Sequence, residues 1–184
     1  MTEPFDSHRR ELGLALRNFD GNDLNQLRLA LPEKVDSPET LEILLDKMES
    51  GSDAERIGAS WILLNRVSLR PWIGAEEQAK ALGTLSKDAP WQALLHVLQL
   101  LPALSLSRPD CQVIFPVVEE LTRHPRPFLR AWAHNAVYFV ANVEPELRAQ
   151  AERILLQGSR RDRASVRARL RSVAQGSSWF SLDS

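Results

Sequence analysis

Leu41, Leu44, Leu45 and Met48 fall at i, i+3, i+4 and i+7, with Glu39, Glu42, Asp46 and Glu49 on the opposite side. That spacing predicts an amphipathic helix with an acidic outer face. Asp36 and Ser37 before Pro38 mark its start: a capping side chain satisfies an orphan N–H group, and a first-turn proline removes one. Helical periodicity of this kind dominates the chain, and sustained strand-like alternation is absent. A unit then recurs, consisting of a helix of about a dozen residues, a short polar break and a longer, more apolar helix. The breaks are SGSD at 50–53, SKDAP at 86–90, RHPRP at 123–127 and QGSRRD at 157–162.

Superposing the second helices aligns Arg56, Gln92, Arg130 and Arg167, separated by 36, 38 and 37 residues. Three positions further on stand Ala59, Leu95, Ala133 and Leu170, all suited to a core. Proline or glycine punctuates the turns between pairs, at 69–74, 105–109 and 142–145. The expected helix pairs therefore occupy 36–70, 74–105, 108–143 and 145–175. Helices at 7–19 and 23–31 precede them as an N-terminal cap or degenerate repeat within residues 1–35, and a tail follows at 177–184. In the third copy Phe128, Trp132, Ala136, Phe139 and Val143 form an apolar stripe that Leu129, Ala133 and Val140 widen. Arg130, His134, Tyr138, Asn135 and Asn142 are left for solvent.

These copies resemble HEAT repeats of the HEAT/armadillo superfamily. The third carries Pro116 in its first helix and the step Leu129-Arg130 early in its second, followed by Ala133; Val166-Arg167 repeats the step. His124 stands where the family has an aspartate, and Gln92 replaces the arginine of the second copy. The resemblance implies an all-α, right-handed α-α superhelix of about four helix pairs plus N-terminal capping helices, a single domain over residues 1–176. It also implies that the second helices line a concave face. Such folds serve scaffolds, adaptors and a few enzymes, so the resemblance speaks to fold more than to function.

In register, the second helices present Arg56 and Ser60, then Gln92, His96 and Gln99, then Arg130, His134 and Tyr138, then Arg167 and Arg171. Lining a groove, they would form one polar band able to hold a peptide or small anion, or would simply solvate the inner surface. Stacked helices lie about 8–10 Å apart, which would bring His96 and His134 together. Two histidines without a third ligand fall short of a zinc site, so no metal is expected. Arg160, Arg163, Arg167 and Arg171 share a helical face that reads either as a phosphate-binding surface or as the polar cap a terminal repeat needs. Trp61, Trp91 and Trp132 read as core, and Trp72 as partly exposed. Trp179, Phe180 and Leu182 either fold back on the last helix or dock to a partner. Cys111 reads as a packing residue.

Composition adds limits. The chain has 184 residues, 43% hydrophobic and 26% charged, with a net charge of −1, so no bulk field recruits nucleic acid or membrane. Residues 1–92 hold 11 basic against 16 acidic side chains, whereas residues 93–184 hold 12 against 8, all of the 12 arginine. One cysteine excludes an internal disulfide and favours a reducing compartment. The polar start and the interrupted apolar tract at 93–106 argue against a signal peptide and a membrane span. A cytoplasmic protein is expected. The dinucleotide, phosphate-loop, zinc-protease and serine-elbow motifs are missing. The expectation is a non-enzymatic scaffold without cofactor that binds a protein or peptide. A nucleic-acid binder similar to HEAT-like alkylation-repair DNA glycosylases is the alternative.

Overall fold

The computed structural model describes residues 3–30, 37–65, 73–86 and 88–182. The proposed Asp36 cap, the 69–72 part of the first inter-pair turn with its Trp72, and Lys87 of the second break lie outside them. Among the described residues the chain is all-α, with ten α-helices and no strand. It divides into two compact units, Met1–Val97 and Leu98–Ser184.

The first unit contains α1 (Glu3–Asn18), α2 (Leu24–Ala30), α3 (Pro38–Ser50), α4 (Asp53–Asn65), α5 (Ala75–Gly83) and most of α6 (Trp91–Leu100). Between α1 and α2 the chain reverses at Gly21, whose φ of +83° suits glycine. The Asp20 carboxylate accepts the Asn22 and Asp23 N–H groups at 2.8 and 3.0 Å. At the start of α3 the Ser37 hydroxyl accepts the Thr40 N–H. The buried side of α3 is Leu41, Leu44, Leu45 and Met48, while Glu39, Glu42, Asp46 and Glu49 are exposed. Helix α3 packs on α4 and α5, and α1 packs on α3 and α4. The closest approach is at Gly58 of α4, where a Cβ would meet Leu16, Leu27 and Phe19 at 3.0–3.1 Å.

The second unit continues from the end of α6 into α7 (Arg108–Leu121), α8 (Pro127–Val143), α9 (Arg148–Arg161) and α10 (Ala164–Gln175). Ser107 caps α7 reciprocally with Asp110, and Pro116 sits inside that helix without ending it. Helix α8 packs against α7, α9 and α10. Crowding from three sides demands small side chains. The buried positions of α8 are Leu129, Ala131, Ala133, His134, Ala136, Val137, Val140 and Ala141.

That face corrects the expected stripe. Phe128 is 52% exposed and Val143 39%, and Trp132 and Phe139 are only half-buried. Bulk predicted the wrong side, because the alanines are what let neighbouring helices approach. His134, expected in solvent, is buried on the crowded face. No helix among the described residues is long and apolar enough to cross a membrane.

Filling the crossing at Gly58 tests the first unit. Gly58→Val overpacks three fixed core side chains and should cost about 2–3 kcal/mol in urea unfolding. A loss below about 0.5 kcal/mol would mean that α1 and α4 do not approach so closely.

Candidate functional site

Two of the three aligned arginines, Arg56 and Arg130, fold back on their own helix pair. Arg56 Nε donates to the Met48 carbonyl of α3 at 3.1 Å. Arg130 Nη1 donates to the His124 and Pro125 carbonyls of the break before α8, at 2.8 and 3.1 Å. Both occupy the first turn of a second helix, and both satisfy carbonyls that the preceding helix or break leaves open. Arg130 does more. Its Nε donates to both Asp162 oxygens, at 3.1 and 2.8 Å, and Nη2 completes the fork. This ion pair is largely shielded, with side-chain exposures of 15% and 12%. Burial alone would raise the Asp162 carboxyl, but the Arg130 guanidinium and the Arg163 N–H hold it below the usual aspartate value. The same hydrogen bond raises the pKa of Arg130.

One turn along from Arg56, Gln92 and Arg130 stand Ser60, His96 and His134, all buried. Ser60 Oγ and His96 Nδ1 are 2.9 Å apart, and Ser60 also donates to the Ile57 carbonyl at 3.0 Å. A hydroxyl has one proton, so with it on Ile57 the ring donates from Nδ1. Burial pushes the His96 pKa down to about 4 against an ordinary 6.5. Positions 36 residues apart in sequence thus meet. His134 Nδ1 lies 2.8 Å from the Arg130 carbonyl, which can only accept, so His134 has the same tautomer. Burial lowers its pKa as well. Its Nε2 edge faces Gly158 of α9 so closely that a Cβ there would collide with the ring.

The predicted band therefore divides. Ser60, His96, Arg130 and His134 spend their polar groups on intramolecular bonds. Arg56, Gln92 and Gln99 are half-buried, while Arg167 and Arg171 are exposed. Tyr138 stacks on Trp179 of the tail, with ring centroids 5.2 Å apart and planes 13° apart. Arg148 sits over the same indole at 5.5 Å, and Phe180 is buried. The tail folds back onto α8 and the start of α9. Trp61, Trp91 and Trp132 are half-buried rather than fully core. Cys111 is fully buried, and burial raises its thiol pKa, helped by Glu144 and Asp110.

Around His134 the second unit has a pocket of about 140 Å³, whose lining includes Thr122, Arg123, Gln157, Gly158 and Arg161. Sequence reading missed these residues and Asp162. The polar break expected at 157–162 hid the signal: α9 runs on to Arg161, so Gly158 lies inside a helix. A glycine inside a helix costs about 1 kcal/mol against alanine and so marks a close approach. Asp162 was hidden because its partner lies one helix pair earlier. Among the described residues no cluster of three or more His, Cys, Asp or Glu side chains is placed to hold a metal. Comparison with family models, curated proteins and solved structures gives no match to this chain.

Two measurements test this geometry. Arg130→Ala leaves Asp162 shielded and unpaired and should cost about 3 kcal/mol. Arg56→Ala, which loses a single backbone bond, should cost about 1 kcal/mol. Equal losses in urea unfolding would contradict the unequal roles. For His96, the unfolded chain takes up a proton near pH 6.5, whereas the folded chain resists until about pH 4. Stability therefore rises with pH across that window, and falling from pH 7 to pH 5 should remove about 2 kcal/mol. His96→Gln should lack that part of the acid loss. An identical loss in both proteins would exclude the ring as its source.

Proposed function

We propose that the chain is a non-enzymatic, HEAT-like solenoid adaptor that holds an acidic segment of a protein partner on the arginine-bearing surface of its second unit. Two features support the repeat assignment: the meeting of Ser60 with His96, and the matching backbone staples made by Arg56 and Arg130. The observation that carries the binding role concerns Arg160, Arg161, Arg163, Arg167 and Arg171. All five are exposed, and none forms an ion pair with a described residue. Unpaired guanidinium groups with fixed forks steer and hold carboxylates. Arg130, by contrast, is already occupied. The buried thiol fits a reducing compartment, and we place the protein in the cytoplasm.

A nucleic-acid binder would use the same arginines. It would also need open aromatic faces for bases. Trp132 instead carries Arg169 over its ring at 4.1 Å, and Trp179 carries Tyr138. The protein-partner reading is therefore the stronger one.

Fluorescence anisotropy with a labelled pool of Asp/Glu-rich peptides and with duplex DNA, at low and physiological salt, tests the choice. The peptides should bind, and the double substitution Arg167→Glu/Arg171→Glu should weaken them about tenfold, or about 1.4 kcal/mol. Its effect on stability should stay within about 0.5 kcal/mol, as for other exposed changes. Peptide binding indifferent to charge reversal, or tighter binding to DNA, would overturn the proposal.

A further inference from the structure

The pocket beside His134 has features that the acidic-partner reading does not use. Its floor is rigid: Gly158 lets α9 approach α8 until the backbone meets the His134 ring, which is itself tied to the Arg130 carbonyl. Its rim carries guanidinium groups from two separate elements, Arg123 from the break after α7 and Arg161 from the last turn of α9. Gln157 adds an amide donor. We infer that this pocket takes the phosphate group of a phosphorylated serine or threonine in the partner segment, an inference that rests on the proposed acidic-partner function.

Charge and size favour that ligand. Asp162 also lines the pocket, but both its oxygens accept from Arg130 and one accepts the Arg163 N–H at 2.6 Å. Its charge is compensated where it stands. Arg123 is held by Glu119 at 3.2 Å in an i,i+4 pair, with its own side chain 69% exposed. Such a pair is weak enough for the guanidinium to turn toward a stronger anion. Arg161 is exposed and has no ion-pair partner among the described residues. The Thr122 hydroxyl donates to the Glu119 carbonyl at 2.6 Å, so the two arginines and Gln157 are the donors left for an oxyanion. A phosphate monoester offers three acceptor oxygens and up to two charges, which two forks and an amide can share. A carboxylate offers only two oxygens and one charge. A pocket of about 140 Å³ accommodates a phosphate with the first atoms of its side chain.

The test is isothermal titration of the full chain with a degenerate phosphoserine peptide pool, the same pool carrying serine, the same pool carrying glutamate, and inorganic phosphate. The phosphoserine pool should bind at least tenfold more tightly than either counterpart, and inorganic phosphate should compete with it. Arg123→Ala, and Gln157→Glu, which sets a carboxylate in the wall, should each remove that preference. Binding of the glutamate pool and the melting temperature should stay unchanged in both variants. Acidic peptides that bind without any phosphate preference would overturn this inference and leave the adaptor reading intact. Binding of inorganic phosphate with no peptide preference would mean an adventitious ion only, and would overturn it too. Failure of every acidic peptide to bind would overturn the adaptor reading itself.

Discussion

The Arg130 guanidinium joins the start of α8 to the α9–α10 break, 32 residues further along the chain. It satisfies two carbonyls of the break before α8, grips both oxygens of Asp162 at the α9–α10 break, and belongs to the turn whose carbonyl holds His134. A planar group with five donors suits this task, and a lysine with a single charged point would not do it equally well. Everything described near the pocket follows from that fork. With α8 and the α9–α10 break locked together, α9 presents Gly158 to the histidine ring. The ring then forms a floor rather than a mobile side chain. Because the pair is shielded from water, losing one member leaves a costly unpaired charge.

Polar groups in this protein fall into two populations, and the distinction bears on function. Ser60, His96, Arg130, Asp162 and His134 are buried or largely so, and are satisfied within the chain. They specify which helix meets which, and they hold both histidines in one tautomer with depressed pKa values. Arg160, Arg161, Arg163, Arg167 and Arg171 are exposed and without described ion pairs. Helix α10 buries Val166, Leu170 and Val173 against its neighbours and turns Arg167 and Arg171 outward. The groups that hold the helices together cannot also be released to a ligand.

The tail shows how tertiary context decides a choice that sequence leaves open. Trp179 and Phe180 could have been a free docking motif. Instead the Ser177 hydroxyl accepts the N–H groups of both residues, at 3.1 and 2.8 Å, turning the chain back. Tyr138 and Arg148 then sandwich the indole. Tyr138 is stacked against the chain's own end.

Periodicity and punctuation alone determined the all-helical class and the starts of α3, α4, α6, α7 and α8, whereas the break expected at 157–162 is helical as far as Arg161. Those features depend on local backbone preferences and on the 3.6-residue period, which neighbouring residues carry with them. The faces of an evenly apolar helix did not follow from pattern. In α8 the small alanines, rather than Phe128 and Val143, turn inward, because the number of neighbours crowding a helix is a property of the assembled fold. The partner of Arg130, the burial of His134 and the pocket built around Gly158 were likewise decided only in three dimensions. Each depends on segments about 24 to 32 residues apart approaching to hydrogen-bond or contact distance, and no local preference encodes that approach.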